Sequence, residues 1–237
     1  GEVPAGMPAQ LNAACAEALQ AAGLGQIAVR ELADDDAVVR SCAYRECQLY
    51  LGGAAAFAAA CEQGEYRALL RAPGPAGAET GVIIVNRRRG IRRVEALIGA
   101  RLLFLNRYAT AEYLYPRLFL LDHGLTEAMF AAVPFDRRIR TPEALVHAVN
   151  DGRFDAGATS LAAVTAAGCS EVTVLATLPD ALPADVLFVD ATFARAHPAL
   201  TAQLAAGLRA WRGGGRRFVP VREAELRAAA AQWALYR

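Results

Sequence analysis

The sequence has no lysine. All 25 of its basic side chains are arginine, set against 24 acidic ones for a net charge of +1. That balance argues against a general nucleic-acid binder, which needs a clear basic excess. With alanine so abundant, arginine-only usage reads as codon bias rather than chemistry. Histidine is scarce: His123, His147 and His197 stand apart in the sequence, and no acid–base pair can be built from them. Long apolar runs are missing too. Hydrophobic residues make up 55% of the 237, yet no run approaches the roughly 18–20 residues a bilayer span needs. The alanine-rich stretches are broken by Glu, Gln and Arg, so the chain is not expected to span a membrane.

Cysteine is limited to Cys15, Cys42, Cys47, Cys61 and Cys169. The Cys42–Cys47 spacing is not a zinc pattern, and no second pair or nearby histidine completes a metal site. Four of the five precede residue 62, which leaves one or two disulfides in an oxidising compartment and buried free thiols equally open. The sequence opens at Gly1 without a leader, consistent with one removed ahead of these residues. No nucleophile–base arrangement and no cofactor motif is present, so no catalytic residue, metal or cofactor is expected.

Strand-like and helix-like segments alternate. Pro8 opens a helix over 8–22, closed by Gly23 and Gly25, and a strand follows over 26–32. Asp34–Asp36 cap a short helix through Arg40. Strand 47–51 ends at Gly52-Gly53, and helix 54–62 follows. Arg71–Ala78 is rich in Pro and Gly and reads as a crossing segment. Beyond it come strand 82–86, the arginine-rich 87–93, a short helix near 92–98 and strand 101–105. A helix over 111–123 ends at Gly124, followed by a strand at 130–135. Thr141 and Pro142 start a helix over 141–151 as cap and first residue. Strand 154–158, helix 161–167 and strand 172–176 lead to a second crossing between Pro179 and Pro183. Strand 186–190 and helices over 198–211 and 223–235 complete the chain. This alternation predicts an α/β fold with mostly parallel sheets flanked by helices, in two lobes that share the chain discontinuously.

Residues 101–116 are the most telling stretch. The apolar run Leu102–Leu105 stops at a polar turn carrying Tyr108 and Thr110, and a helix begins near Ala111. A strand feeding a helix start gathers main-chain N–H groups and a positive dipole end, a seat for a small anion or polar ligand.

Several stretches together carry a family resemblance: Tyr50–Gly53, Gly81–Val85 with Gly90-Ile91, 99–116, Asp151–Ala158 and Pro183–Val189. In order and spacing the chain resembles the phosphonate/phosphite/phosphate-binding proteins of bacterial ABC importers, which have a type II periplasmic binding fold. The resemblance runs from about residue 8 to 220. It implies lobe I over 1–78 and 184–237 and lobe II over 79–183. It also implies a monomeric periplasmic protein that closes about a hinge on a small-molecule ligand and hands it to ABC permease transmembrane subunits, with no nucleic-acid partner. The family opens with a central strand ahead of the loop that Glu2–Gly6 resembles. That strand either precedes residue 1 or is replaced by a segment such as Phe218–Val221.

Residue by residue, the resemblance makes Tyr50 a ligand-touching aromatic of the first lobe. Thr110 matches the central hydroxyl of a Ser-Thr-Ser turn, and Tyr113 the aromatic after it. Asp185 matches an acidic residue that receives an amine or proton. The ligand-binding set expected on these grounds is Tyr50, Glu79, Tyr108, Thr110, Ala111, Glu112, Tyr113, Thr141, Ser160 and Asp185. The departures bear on chemistry. Ala109 and Ala111 replace the flanking serines, Glu112 a usual glycine and Glu79 a hinge tyrosine, while Thr141-Pro142 aligns with a Ser-His pair. Each lost donor weakens oxyanion binding by about 1–3 kcal/mol if buried. Glu79, Glu112 and Asp185 suit a cationic or zwitterionic ligand better than a dianion. A ligand-sensing domain of a receptor or regulator is the competing reading of the same fold. The arginine clusters 87–93 and 137–140 read as solvated loops.

Overall fold

A carboxylate starts the first helix seen in the computed structural model: Asp34 accepts the N–H of Ala37 at 2.8 Å. The structure describes residues 30, 32–74, 76–132, 135–136, 138–181, 185–210, 217–221, 226 and 231. The helix expected over 8–22, and nearly all of the strand over 26–32 and the helix over 223–235, lie outside these residues.

In chain order the elements are α1 (Asp35–Ala43), β1 (Leu49–Gly52), α2 (Ala54–Gln63), β2 (Tyr66–Ala72), β3 (Thr80–Asn86) and β4 (Leu102–Leu103). A π turn (Thr110–Leu114) runs directly into α3 (Tyr115–Asp122), followed by α4 (Pro142–Asn150), β5 (Ala156–Ser160), α5 (Leu161–Ala167) and β6 (Val172–Ala181). The chain continues through β7 (Asp185–Asp190), α6 (Ala191–Ala196), α7 (Pro198–Ala210) and β8 (Val219–Pro220). It divides into two compact units, Gly1–Pro73 with Ala184–Ala228 and Gly74–Pro183 with Ala229–Arg237.

In the first unit the strand order is β1-β7-β2-β8, with β7 antiparallel to both neighbours. Ala54 through Ala60 of α2 are all buried. A helix that is apolar all round belongs in a core, and these small side chains pack against α1, β2 and β7. Val219 and Pro220 pair with Arg71 and Leu70 at the β2 edge.

In the second unit the order is β4-β5-β3-β6. Residues Val82–Val85 of β3 are fully buried, and alternate side chains serve opposite faces as strand geometry requires. Ile83 and Val85 pack with Leu102, Phe104 and Leu120. Val82 and Ile84 pack with Leu145, Val146 and Val149 of α4. Gly157 permits that second contact, because a Cβ there would lie 2.8 Å from Leu145 and 3.1 Å from Val149.

Strand direction corrects the sequence-based expectation for the described residues. Only β4–β5 is a parallel pair, extended by bridges from Arg101 to Ala132 and Phe104 to Phe135. Those two bridges are what forms where a strand over 130–135 is expected. The strands that follow the two crossings, β3 and β7, each insert antiparallel into the middle of a sheet, which needs no helical crossover. Two further elements, β2 and α6, were not foreseen from the sequence. β6 also runs five residues past its expected end, through Pro179. It is an edge strand, where a missing N–H is tolerated. The described cysteines Cys42, Cys47, Cys61 and Cys169 are free thiols, and burial pushes the Cys42 thiol up to about 12.

Candidate functional site

The parallel strands β4 and β5 end at the same edge of the second unit's sheet, where β3 begins opposite Ser160. Three helix starts gather at this edge. The π turn follows β4 and packs against β5 and β3. α5 leaves β5 directly. α4 runs back along β5 before feeding its start, so the Thr141 end of α4 lies at the same edge.

Two of these starts are closed by their own side chains. Thr141 Oγ1 accepts the N–H of Ala144 at 3.2 Å, and Ser160 Oγ accepts that of Ala163 at 3.3 Å. α5 is sealed further by Gly77, whose carbonyl accepts the N–H groups of Ala162 and Thr80, each at 3.2 Å. Gly77 has φ +80, and a Cβ on it would sit 3.2 Å from the Ala162 nitrogen, so glycine is needed for this close approach. Thr141 and Ser160 therefore act as caps.

The third start is different. The Asn106 side chain accepts the N–H of Tyr108 at 2.9 Å, and its carbonyl accepts that of Ala109 at 3.2 Å, shaping the turn. The residue at its N-cap is Ala109, whose methyl cannot cap it. Its ladder opens with the π-type bond from Leu114 N–H to the Ala109 carbonyl at 3.0 Å. Bonding five residues back keeps the N–H groups of residues 110–113 outside the helix's own ladder. Thr110 and Glu112 are buried here, 8% and 9% exposed. Ala111 turns its methyl onto Leu178.

Sequence reasoning missed Thr159. It is fully buried beside Ser160, and among the described residues its hydroxyl has no hydrogen-bond partner. A threonine inside an apolar strand gives no signal of its own. Glu79 and Tyr108 are half-buried in the turns flanking this edge. Tyr113 points elsewhere, meeting the rings of Phe104 and Phe135 edge-on at 5.2 and 5.3 Å and lying under Arg117. Its hydroxyl donates to Glu127 at 3.4 Å, so it serves the core of the second unit.

Tyr50 and Asp185 belong to the first unit. Tyr50 is stacked on Phe188, donates to the Ser41 carbonyl at 3.0 Å and accepts the Cys47 N–H at 3.0 Å. With its hydroxyl committed to main chain, it ties α1 to β1. Asp185 opens β7 opposite Ala72, and Val186 pairs with Gly52. A second unforeseen residue lies here. Asp35 Oδ1 accepts the N–H of Gly53, the residue that starts α2, at 3.0 Å. Burial, then the nearby charges of Asp185 and Asp34, push the Asp35 carboxyl up to about 7 against the pull of the Gly53 bond. The sequence signal, Asp34-Asp35-Asp36, reads only as a helix cap.

Among the described residues no group of three His, Cys, Asp or Glu side chains is placed to hold a metal, and no helix is long and apolar enough to cross a membrane.

No curated protein matches the sequence. Among solved structures, the chain is similar to PhnD1 from Prochlorococcus marinus in complex with methylphosphonate, at 15% identity and TM-score 0.78, covering 96% of this chain and 92% of that one. It is similar to a binding protein component of an ABC phosphonate transporter from Pseudomonas aeruginosa at 14% identity and TM-score 0.70, covering 99% and 84%. The periplasmic aliphatic sulphonate binding protein SsuA from Escherichia coli aligns at 15% identity and TM-score 0.58, covering 96% and 76%. These likenesses bear on the fold, a two-lobed type II periplasmic binding architecture. The family model for the phosphonate periplasmic substrate-binding protein of ABC transporters matches residues 4–219, and with that match over most of its length the chain belongs to this family of periplasmic substrate-binding proteins.

Proposed function

We propose that the protein captures a small polar ligand for an ABC importer, by hinge closure and without turning it over. The observation that carries this reading is the helix start at Thr110–Leu114, which packs against β5 beside the buried hydroxyls of Thr159 and Ser160. Helix starts of this kind bind anions and polarised groups. In this reading Thr110, Ala111 and Glu112 form the seat, with Thr159 and Ser160 alongside. Thr141 shapes it as a cap, and Glu79 and Tyr108 flank it. The protein acts as an extracytoplasmic monomer serving a permease. A phosphate- or phosphonate-like group is the first choice of ligand, supported by the family and by the methylphosphonate bound to PhnD1.

A second choice rests on one observation, the burial of Glu112 in the first turn of the seat. A carboxylate there disfavours a dianion and favours a zwitterionic or cationic ligand.

A thermal-shift panel of phosphate, phosphite, methylphosphonate, sulfonates and amino-acid-like zwitterions separates the two. A ligand at a hundred times its Kd stabilises by about 2.7 kcal/mol. Stabilisation by phosphate or methylphosphonate supports the first choice. Stabilisation by zwitterions with none from any oxyanion replaces it with the second.

A further inference from the structure

The far end of the second unit carries a feature that ligand capture does not use. β3 runs away from the seat and ends at Asn86, so its seven residues put that end about 20 Å from the seat edge. Asn86 is buried and anchors the arginine-rich turn beyond it. Its side-chain amide donates to the Val149 and Asn150 carbonyls at 2.7 and 3.0 Å, and its oxygen accepts the N–H of Arg88 at 3.0 Å. Arg87 N–H adds a bond to the Glu171 carbonyl at 2.8 Å. On this fixed base stand Arg87, Arg88, Arg89, Arg92 and Arg93, all exposed. Two of them are engaged, Arg88 with Glu171 at 3.1 Å and Arg89 with Asp155 at 2.7 Å. Asp155 is also held by Arg101, which forks onto it at 2.9 and 3.2 Å and holds its carboxyl below the usual range. Arg87, Arg92 and Arg93 have no ion-pair partner among the described residues. Between Thr80 and Ile98 the one acidic residue is Glu95. Ile98, at the end of the next turn, is 60% exposed.

The geometry points to an electrostatic contact between this arginine face and the anionic headgroups of a lipid bilayer, with Ile98 set against the headgroup boundary. Each cation near an anionic surface adds roughly 1 kcal/mol of attraction, and guanidinium suits phosphate. A discrete phosphate ligand would need convergent, buried donors, and these arginines are all on the surface. A nucleic acid would be met by arginines interleaved with aromatic rings for base stacking, and residues 87–98 contain none. An exposed isoleucine that follows the arginines in the chain fits an interface that is charged outside and apolar just beneath. The face is anchored through Asn86, distant from the seat and on a member of a periplasmic family that works beside a membrane-embedded permease.

The test is co-sedimentation of the full chain with vesicles rich in phosphatidylglycerol and with vesicles of phosphatidylcholine alone, at low and at high salt. Binding to the anionic vesicles only, lost at high salt, is expected. Arg87→Gln, Arg92→Gln and Arg93→Gln together should lower the partition coefficient roughly 100-fold. Each single change should lower it about fivefold, which keeps the test decisive should the triple variant not fold. Ile98→Ser should weaken vesicle binding while leaving heparin binding unchanged. Equal binding to both vesicle types, no binding to either, or arginine variants that partition like the parent would overturn the assignment. So would an RNA oligomer that binds as tightly as anionic vesicles and is indifferent to Ile98.

Discussion

Asp35 accepts the main-chain N–H of Gly53 at 3.0 Å, across the gap between α1 and the start of α2. The contact joins two elements through a carboxyl whose affinity for protons is raised by burial and by Asp185. Between the ordinary value of 3.8 and about 7 the folded form therefore holds a proton that the unfolded chain has released, and this sets a pH dependence with a definite sign.

With the folded value near 7 and the ordinary value at 3.8, stability contributed at Asp35 falls as pH rises through that window, and the cost is complete above it. Asp35→Asn keeps the acceptor for Gly53 and removes the charge. The shift sets an upper limit near 4 kcal/mol at about 1.4 kcal/mol per unit, and water access to a half-buried carboxylate reduces this to about 2 kcal/mol. Urea unfolding across the window should show the variant more stable above neutral pH and the two proteins converging in acid. A difference that does not change with pH would refute this account.

Thr110→Val tests the seat. If the hydroxyl touches the ligand, affinity falls by about 1–3 kcal/mol, while unfolding midpoints move little. Calorimetric titration with whichever panel compound stabilises the protein reads this directly. Unchanged affinity would reduce Thr110 to a structural residue.

Thr159→Val replaces a buried hydroxyl with a methyl of the same shape. Where the hydroxyl lacks a partner, the free protein gains about 1 kcal/mol, while ligand affinity falls if the hydroxyl completes the seat. Opposite signs for stability and affinity mark a functional group; a loss in both would mean that the hydroxyl is satisfied within the fold.

Gly157→Ala inserts a methyl against Leu145 and Val149. Overpacking of this kind costs about 1–3 kcal/mol. Because α4 carries Thr141 at the seat edge, ligand affinity should fall as well. A variant as stable as the parent would show that α4 can retreat freely.

Much of the second unit was legible. Thr141-Pro142 marks the start of α4 by chemistry that only a helix start rewards, a side-chain cap and a first residue lacking N–H. β3 was legible because four consecutive apolar residues flanked by turn signals suit a strand buried on both faces. β2 was not, since after Tyr66 it is built of Arg, Ala and Leu, good helix formers held extended by pairing to β7 and β8. The helix start after Leu105 was legible, but its π geometry was not. Apolar periodicity does not separate a π turn from an α turn, and the lack of a partner for the Thr159 hydroxyl among the described residues depends on neighbours distant in sequence.

The π turn has one more consequence. Because it holds a residue more per turn than the α-helix it feeds, Thr110–Leu114 can give up one residue while α3 keeps its place on the sheet. A single-codon deletion there would turn the π turn into an α turn with the scaffold intact, and so remove the proposed seat. A change of length, as well as of side chain, is thus a way to reshape this helix start.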